Sequence, residues 1–170
     1  MKKNGLIALL LSGVAAVVYF ASMANYAFPG ESAHLQALWR GLDFTTAAPY
    51  PLMAIYAKLL GAGNVLAPIC GTLSVGLLFL LVCFFVRQRI HGEHTARKAE
   101  QISLVAATVA AVVFMLTPAV RSAASHLEPR LFDATWALLL FVLAIPFLLV
   151  DSGVALVFPA LMGALAAGVL

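Results

Sequence analysis

The chain has 170 residues, of which 64% are hydrophobic and 10% charged, with a net charge of +3. A soluble domain carries about 25% charged residues, so this chain cannot cover itself with polar surface and lipid must be its main solvent. No basic patch is interleaved with base-stacking aromatics, which argues against a nucleic-acid partner, and no internal repeat points to a repeat-built fold.

Lys2 and Lys3 precede an apolar run from about Gly5 to Ala27, long enough to cross a bilayer, which takes about 20 residues. The same stretch is laid out like a secretory signal, with Ser22-Met23-Ala24 as a small-x-small cleavage site. Its length favours an uncleaved signal anchor over residues 1–27, and cleavage would leave the later topology unchanged. Residues 28–64 then form an outer loop with two short helices. In the first, Ser32–Leu42, the side chains Leu35, Leu38, Trp39 and Leu42 share one side, and Gly41 is a stop signal. Pro49 and Pro51 break the backbone around Tyr50. The second, Pro51–Leu60, has Pro in its first turn. It is too short to cross and carries Lys58, so it belongs at the interface with Tyr50 and Tyr56 at headgroup level.

Span two runs from about Val65 to Val86, followed by the basic loop 87–100. Span three runs from about Ile102 to Pro118, and a second outer loop from Ala119 to Glu128 carries Arg121, His126 and Glu128. Pro129 suits the first turn of span four, which continues to about Val150 with a kink site at Pro146. After the turn Asp151-Ser152-Gly153, span five begins near Val154 and is still apolar at Leu170. Either that helix ends flush with the membrane face, or the chain is the N-terminal piece of a longer protein. The pattern predicts an all-α, polytopic integral membrane protein: one transmembrane domain over 1–170 with about five transmembrane helices, spans two to five lying in 65–170.

Placement of charge sets the orientation. Lys2, Lys3, Arg87, Arg89, Arg97 and Lys98 are six of the ten basic residues, and all fall on one side of this topology. The positive-inside rule makes that side, with the N-terminus, cytoplasmic, where the basic loop touches anionic headgroups of the membrane lipid. Cys70 and Cys83 share one helix about 19.5 Å apart along its axis, too far for a disulfide. Gly5, Gly13 and the Gly and Ala positions of spans three and five read as helix-packing residues.

Few residues carry chemistry. Glu31 stands at the mouth of span one, where a carboxylate is either solvated beside a helix N-terminus or functional. His34 follows by three positions and can share a face with it, either orienting the carboxylate or merely sitting at the interface. Glu128, Arg130 and Asp133 are either a second polar cluster or charges capping the outer end of span four. Asp133, one turn in, should face protein or water rather than lipid. His91 and His94 lie in a basic loop without a third ligand, so no metal is assigned to residues of this chain.

The segment Pro29-Gly30-Glu31-Ser32-Ala33-His34-Leu35 resembles the acidic first-loop motif, roughly P-G-D-S-G-E-L, of a bacterial membrane family described as protein O-mannosyltransferase-like, within the GT-C class of glycosyltransferases. Ala48-Pro49-Tyr50-Pro51-Leu52 resembles its H-P-P-G-Y-P-L segment. Asn64 ahead of an apolar span fits, and Ala124-Ser125-His126-Leu127-Glu128 stands where the family has a loop ending in Glu. The resemblance covers about residues 5–150. Glu31 replaces the family's Asp, His34 its second acid, and Ala47-Ala48-Pro49 its His-Pro-Pro-Gly, and the spans are fewer than the family has.

The resemblance implies a bacterial inner-membrane enzyme that moves a sugar from a polyprenyl-phosphate donor to a protein, glycan or lipid acceptor at the outer face. It implies a catalytic role for Glu31 and, more weakly, for Glu128, with His34 in support. A general base there would take the acceptor's proton. The leaving phosphate calls for a guanidinium or a divalent metal, and Arg40, Arg121 and Arg130 all lie on the outer side. The alternative is a small non-enzymatic membrane protein or subunit whose outer loops bind a partner. A transporter fragment fits less well, because the charges cluster at span ends rather than mid-membrane.

Overall fold

The structure, a computed structural model, describes residues 2–23, 33, 37, 63–90, 96–126 and 128–148, all helical apart from short turns. Among the described residues, helices run in chain order as α1 (Lys2–Ala21), α2 (Gly63–Ile90), α3 (Ala96–Leu116), α4 (Pro118–Ser125) and α5 (Pro129–Leu148). Helix is what apolar runs must form in lipid, since their backbone polar groups have no water to bond. Among the described residues, three stretches are long and apolar enough to cross a membrane: Lys3–Ala21, Val65–Ile90 and Ala96–Leu116. α5 starts at Pro129, where span four was expected to start. Most of the first outer loop with its two short helices, and span five over 154–170, lie outside the described residues; Ala33 and Ala37, within the first short helix, are helical.

α2 is the hub and packs on each of the other four helices. Its antiparallel register against α1 is fixed at three levels. Asn4 Nδ2 donates to Cys83 Sγ at 3.3 Å. Ser12 lies against Gly76, and the Tyr19 ring lies against Gly71. Both glycines are buried. A side chain at Gly71 would collide with Ala124 and the Tyr19 ring, so its bareness is what lets α1 and α4 approach, whereas at Gly76 the near atom is the rotatable Ser12 hydroxyl. Gly5 and Gly13 behave otherwise than expected: a Cβ there meets nothing within 4 Å. The packing glycines are on α2 instead.

α3 meets its neighbours through Ala99, Ser103, Ala107, Ala111 and Met115, all buried. A spacing of four keeps them on one face, and their small size brings the helices close. Cys83 Sγ and Ser103 Oγ lie 3.8 Å apart across α2 and α3. At the other end the Tyr19 hydroxyl donates to Met115 O at 3.2 Å. α1 and α3 therefore run parallel, with α2 reversed between them. The basic residues at the start of α1, the end of α2 and the start of α3 share one end of the bundle; Ser22 and α4 share the other. The opposite faces carry Leu6, Leu9 and Val17 of α1 and Val105, Val109 and Val113 of α3, each more than half exposed. Such stripes suit a lipid solvent.

Two loops differ from the sequence reading. α2 continues to Ile90 rather than ending near Val86, and α3 begins at Ala96 rather than Ile102, so residues 87–90 and 96–100 of the expected loop are helical. Hydropathy marks where lipid ends, not where helix ends; Arg, Lys, Glu and Gln are good helix formers outside the bilayer. The second outer loop is mostly α4, with Ala123 and Ala124 buried. Thr117 separates α3 from α4 at φ −58° and ψ 126°, the extended conformation that a following proline imposes. Pro118 then opens the new helix, where its missing N–H costs nothing.

α5 is tied to α2 by hydroxyls. Thr135 Oγ1 and Ser74 Oγ are 2.8 Å apart, and Thr135 Oγ1 also lies 3.2 Å from Cys70 O and 2.7 Å from Leu131 O. Both residues are buried, so the bonds satisfy groups that would otherwise be costly to bury.

Candidate functional site at the α4 end of the bundle

The end of the bundle away from the basic residues carries an open depression of about 330 Å³, lined by Ser22, Pro118, Arg121, Ser122 and Ser125. Parallel α1 and α3 create it: α1 ends at this level, and the break at Thr117 turns α4 beside that end. α4 is anchored by Ala124, which sits under Gly71 of α2, so Arg121 and Ser122 are left exposed. Ser22 Oγ donates back to Val18 O at 3.0 Å or Tyr19 O at 3.2 Å. Ser125 Oγ donates to Ser122 O at 2.8 Å. The Ser22 and Ser125 protons are committed to backbone carbonyls, so the lining offers the Arg121 guanidinium and the Ser122 hydroxyl as donors, and the guanidinium is what suits an anionic oxygen group.

A short polar chain leads away from the rim. Ser125 Oγ is 3.3 Å from His126 Nδ1, and His126 Nε2 is 4.0 Å from Glu128 Oε2. Glu128 thus reaches the neighbourhood of Arg121 through His126. Arg130, in the first turn of α5, is exposed, and among the described residues it forms no ion pair with Asp133. The reason is direction: the long Arg130 chain reaches for water, while Asp133 Oδ1 is buried without a hydrogen-bond partner among the described residues. Glu31, His34 and Arg40 lie outside the described residues.

Of the candidates on described elements, the structure therefore brings Arg121 and Glu128 to one end of the bundle, with Arg130 nearby in sequence on α5. Ser22, Ser122, Ser125 and His126 were not assigned to a site by sequence reasoning, although His126 was noted beside Arg121 and Glu128. Arg121, Ser122 and Ser125 gave a usable signal, since Ser125 lies three positions after Ser122 and four after Arg121, the spacings that bring side chains together on a helix. Ser22 gave none, because its partners are about a hundred residues away.

Fold and site together define an all-helical protein with several helices suited to a membrane. No protein-family model, curated protein or solved structure matches the chain.

Proposed function

We propose that the chain belongs to a membrane glycosyltransferase of the GT-C type, with about five spans and a cytoplasmic N-terminus. It would act at the outer face of a bacterial inner membrane on a polyprenyl-phosphate-linked sugar. The observation that carries this reading is the Arg121 depression: a guanidinium beside serine side chains, at the end opposite the basic residues of α1, α2 and α3. The resemblance around Glu31 adds the missing base. In this reading Glu31 takes the proton of an acceptor hydroxyl, the acceptor oxygen bonds to the anomeric carbon, and the bond from that carbon to the phosphate oxygen breaks. The polyprenyl phosphate leaves with the electron pair, and Arg121 balances its charge.

Sugar transfer by the full-length protein in proteoliposomes tests it, with a polyprenyl-phosphate donor. Glu31→Gln keeps size and loses basicity, so transfer falls by about 10²–10⁴-fold. His34→Ala costs less, because its role is to orient. Full activity in Glu31→Gln would return Glu31 to a solvated loop and favour the second reading, a non-enzymatic membrane subunit. The openness of the depression favours that second reading in one respect, since a partner's loop could enter it as readily as a lipid phosphate.

A further inference from the structure

We propose that the opposite end of the bundle is a docking surface for anionic membrane lipids, gathered by a collar of five cations: Lys3, Arg87, Arg89, Arg97 and Lys98. All five are exposed. They come from three different helices, brought level by the Asn4–Cys83–Ser103 contacts. Among the described residues the ion pair formed is His126–Glu128, at the far end, and none of the five cations pairs with a described carboxylate. Glu100 is the one acidic residue on the described part of this end, and it is only partly exposed.

The cations do not stand alone. On each helix an exposed apolar side chain lies within about one turn of a cation: Leu6 beyond Lys3, Phe85 before Arg87, Ile102 beyond Lys98. At 1.5 Å per residue these separations are about 3–6 Å along the axis. A phospholipid offers the same pairing, an anionic phosphate directly above acyl chain. A nucleic acid or an acidic peptide would satisfy the cations and leave the apolar ring in water. Arginine suits a phosphate because its fork can donate twice, and Lys3 can lay its stem on the apolar ring with the ammonium at headgroup level. The collar therefore selects lipid by charge in addition to holding the topology. This inference rests on α1, α2 and α3 crossing the membrane, not on the transferase reading.

The test is native mass spectrometry of the purified full-length protein with phosphatidylglycerol and phosphatidylcholine at equal concentration. Each cation near an anionic surface contributes about fivefold in binding. The wild type should retain phosphatidylglycerol over phosphatidylcholine by at least about fivefold, less in about 0.5 M salt. Arg87→Gln/Arg89→Gln/Arg97→Gln/Lys98→Gln should lose the preference, and Arg87→Lys/Arg89→Lys/Arg97→Lys should keep it. Equal retention of the two lipids by the wild type overturns the proposal, even where the glutamine variant fails to fold. An undiminished preference in the glutamine variant overturns it too. Release of the protein from membranes by alkaline carbonate would instead refute the membrane-spanning reading beneath it.

Discussion

The same substitution at two glycines of α2, five residues apart, should have opposite effects. At Gly71 a new Cβ would lie 2.8 Å from Ala124 Cβ and 2.9 Å from Tyr19 Cδ2 and Cε2. Carbon atoms pack at about 3.5–4.0 Å, so α1 and α4 would have to retreat by about 0.7 Å. Neither neighbour yields cheaply. Ala124 Cβ moves only with its backbone, and the Tyr19 ring is fully buried with its hydroxyl held on Met115 O. Overpacking of this kind costs about 1–3 kcal/mol, and the better helix propensity of alanine offsets up to about 1 kcal/mol. Gly71→Ala should therefore lose about 1–2 kcal/mol. At Gly76 the near atom is Ser12 Oγ, the free end of a side chain, and the next are ordinary contacts at 3.7 and 3.8 Å. Ser12 can rotate away, so Gly76→Ala should be neutral or gain up to about 1 kcal/mol. Unfolding in mixed micelles against dodecyl sulfate, followed by circular dichroism, measures both. The reasoning fails if Gly71→Ala matches the wild type, or if Gly76→Ala loses as much as Gly71→Ala.

Thr135→Val leaves the buried Ser74 hydroxyl without its partner and should cost about 0.6–1.7 kcal/mol, the span found for hydrogen bonds between membrane helices. Adding Ser74→Ala should then cost little more, and strict additivity of the two in the same unfolding assay would show that they are not coupled. For topology, Thr45→Cys and Ser122→Cys should react with an impermeant maleimide in intact cells and Thr95→Cys only after permeabilisation. Cys70 and Cys83 are buried and should stay silent, and labelling of position 95 from outside would invert the model. Arg121→Gln should raise the KM for a polyprenyl-phosphate donor about 10–100-fold, because a hydrogen bond to a charged group contributes about 1.5–3 kcal/mol; an unchanged KM would remove Arg121 from the site.

The positions of the helices were legible where one local rule decided them. Apolar length marked the three stretches that can cross a membrane. Pro129 marked the start of α5, and Pro118 marked a break, because proline constrains its own φ and the residue before it. The six basic residues were expected on one side, and the antiparallel register puts their helix ends at one end. What the sequence hid were features that depend on two helices at once. Gly71 and Gly76 look no different in sequence from Gly5 and Gly13, and only the approach of α1 separates the bare packing position from the open one. The ends of α2 and α3 were set too short, because polar residues beyond the lipid boundary still propagate a helix. α4 was read as loop, since eight residues with a charge at the centre carry too little periodicity to register as a buried element.

Packing and candidate site meet at one contact. Arg121 lies three residues before Ala124 on α4, about one helical turn away. Ala124 is fully buried, and it rests against the backbone of Gly71. The same glycine receives the ring of Tyr19, three residues before Ser22, which lines the other wall of the depression. A bare position on α2 therefore sets the distance between the two walls. Separating α1 and α4 by about 0.7 Å at Gly71 would widen the opening and shift the guanidinium relative to the hydroxyls, and a displacement on the order of 1 Å can cost 10²-fold in a reaction that depends on alignment. If the depression takes the donor phosphate, Gly71→Ala should impair transfer beyond its effect on stability, whereas Gly76→Ala, about 7.5 Å nearer the basic collar along α2, should leave transfer intact. Equal activity of the two variants, each folded, would uncouple the depression from the reaction.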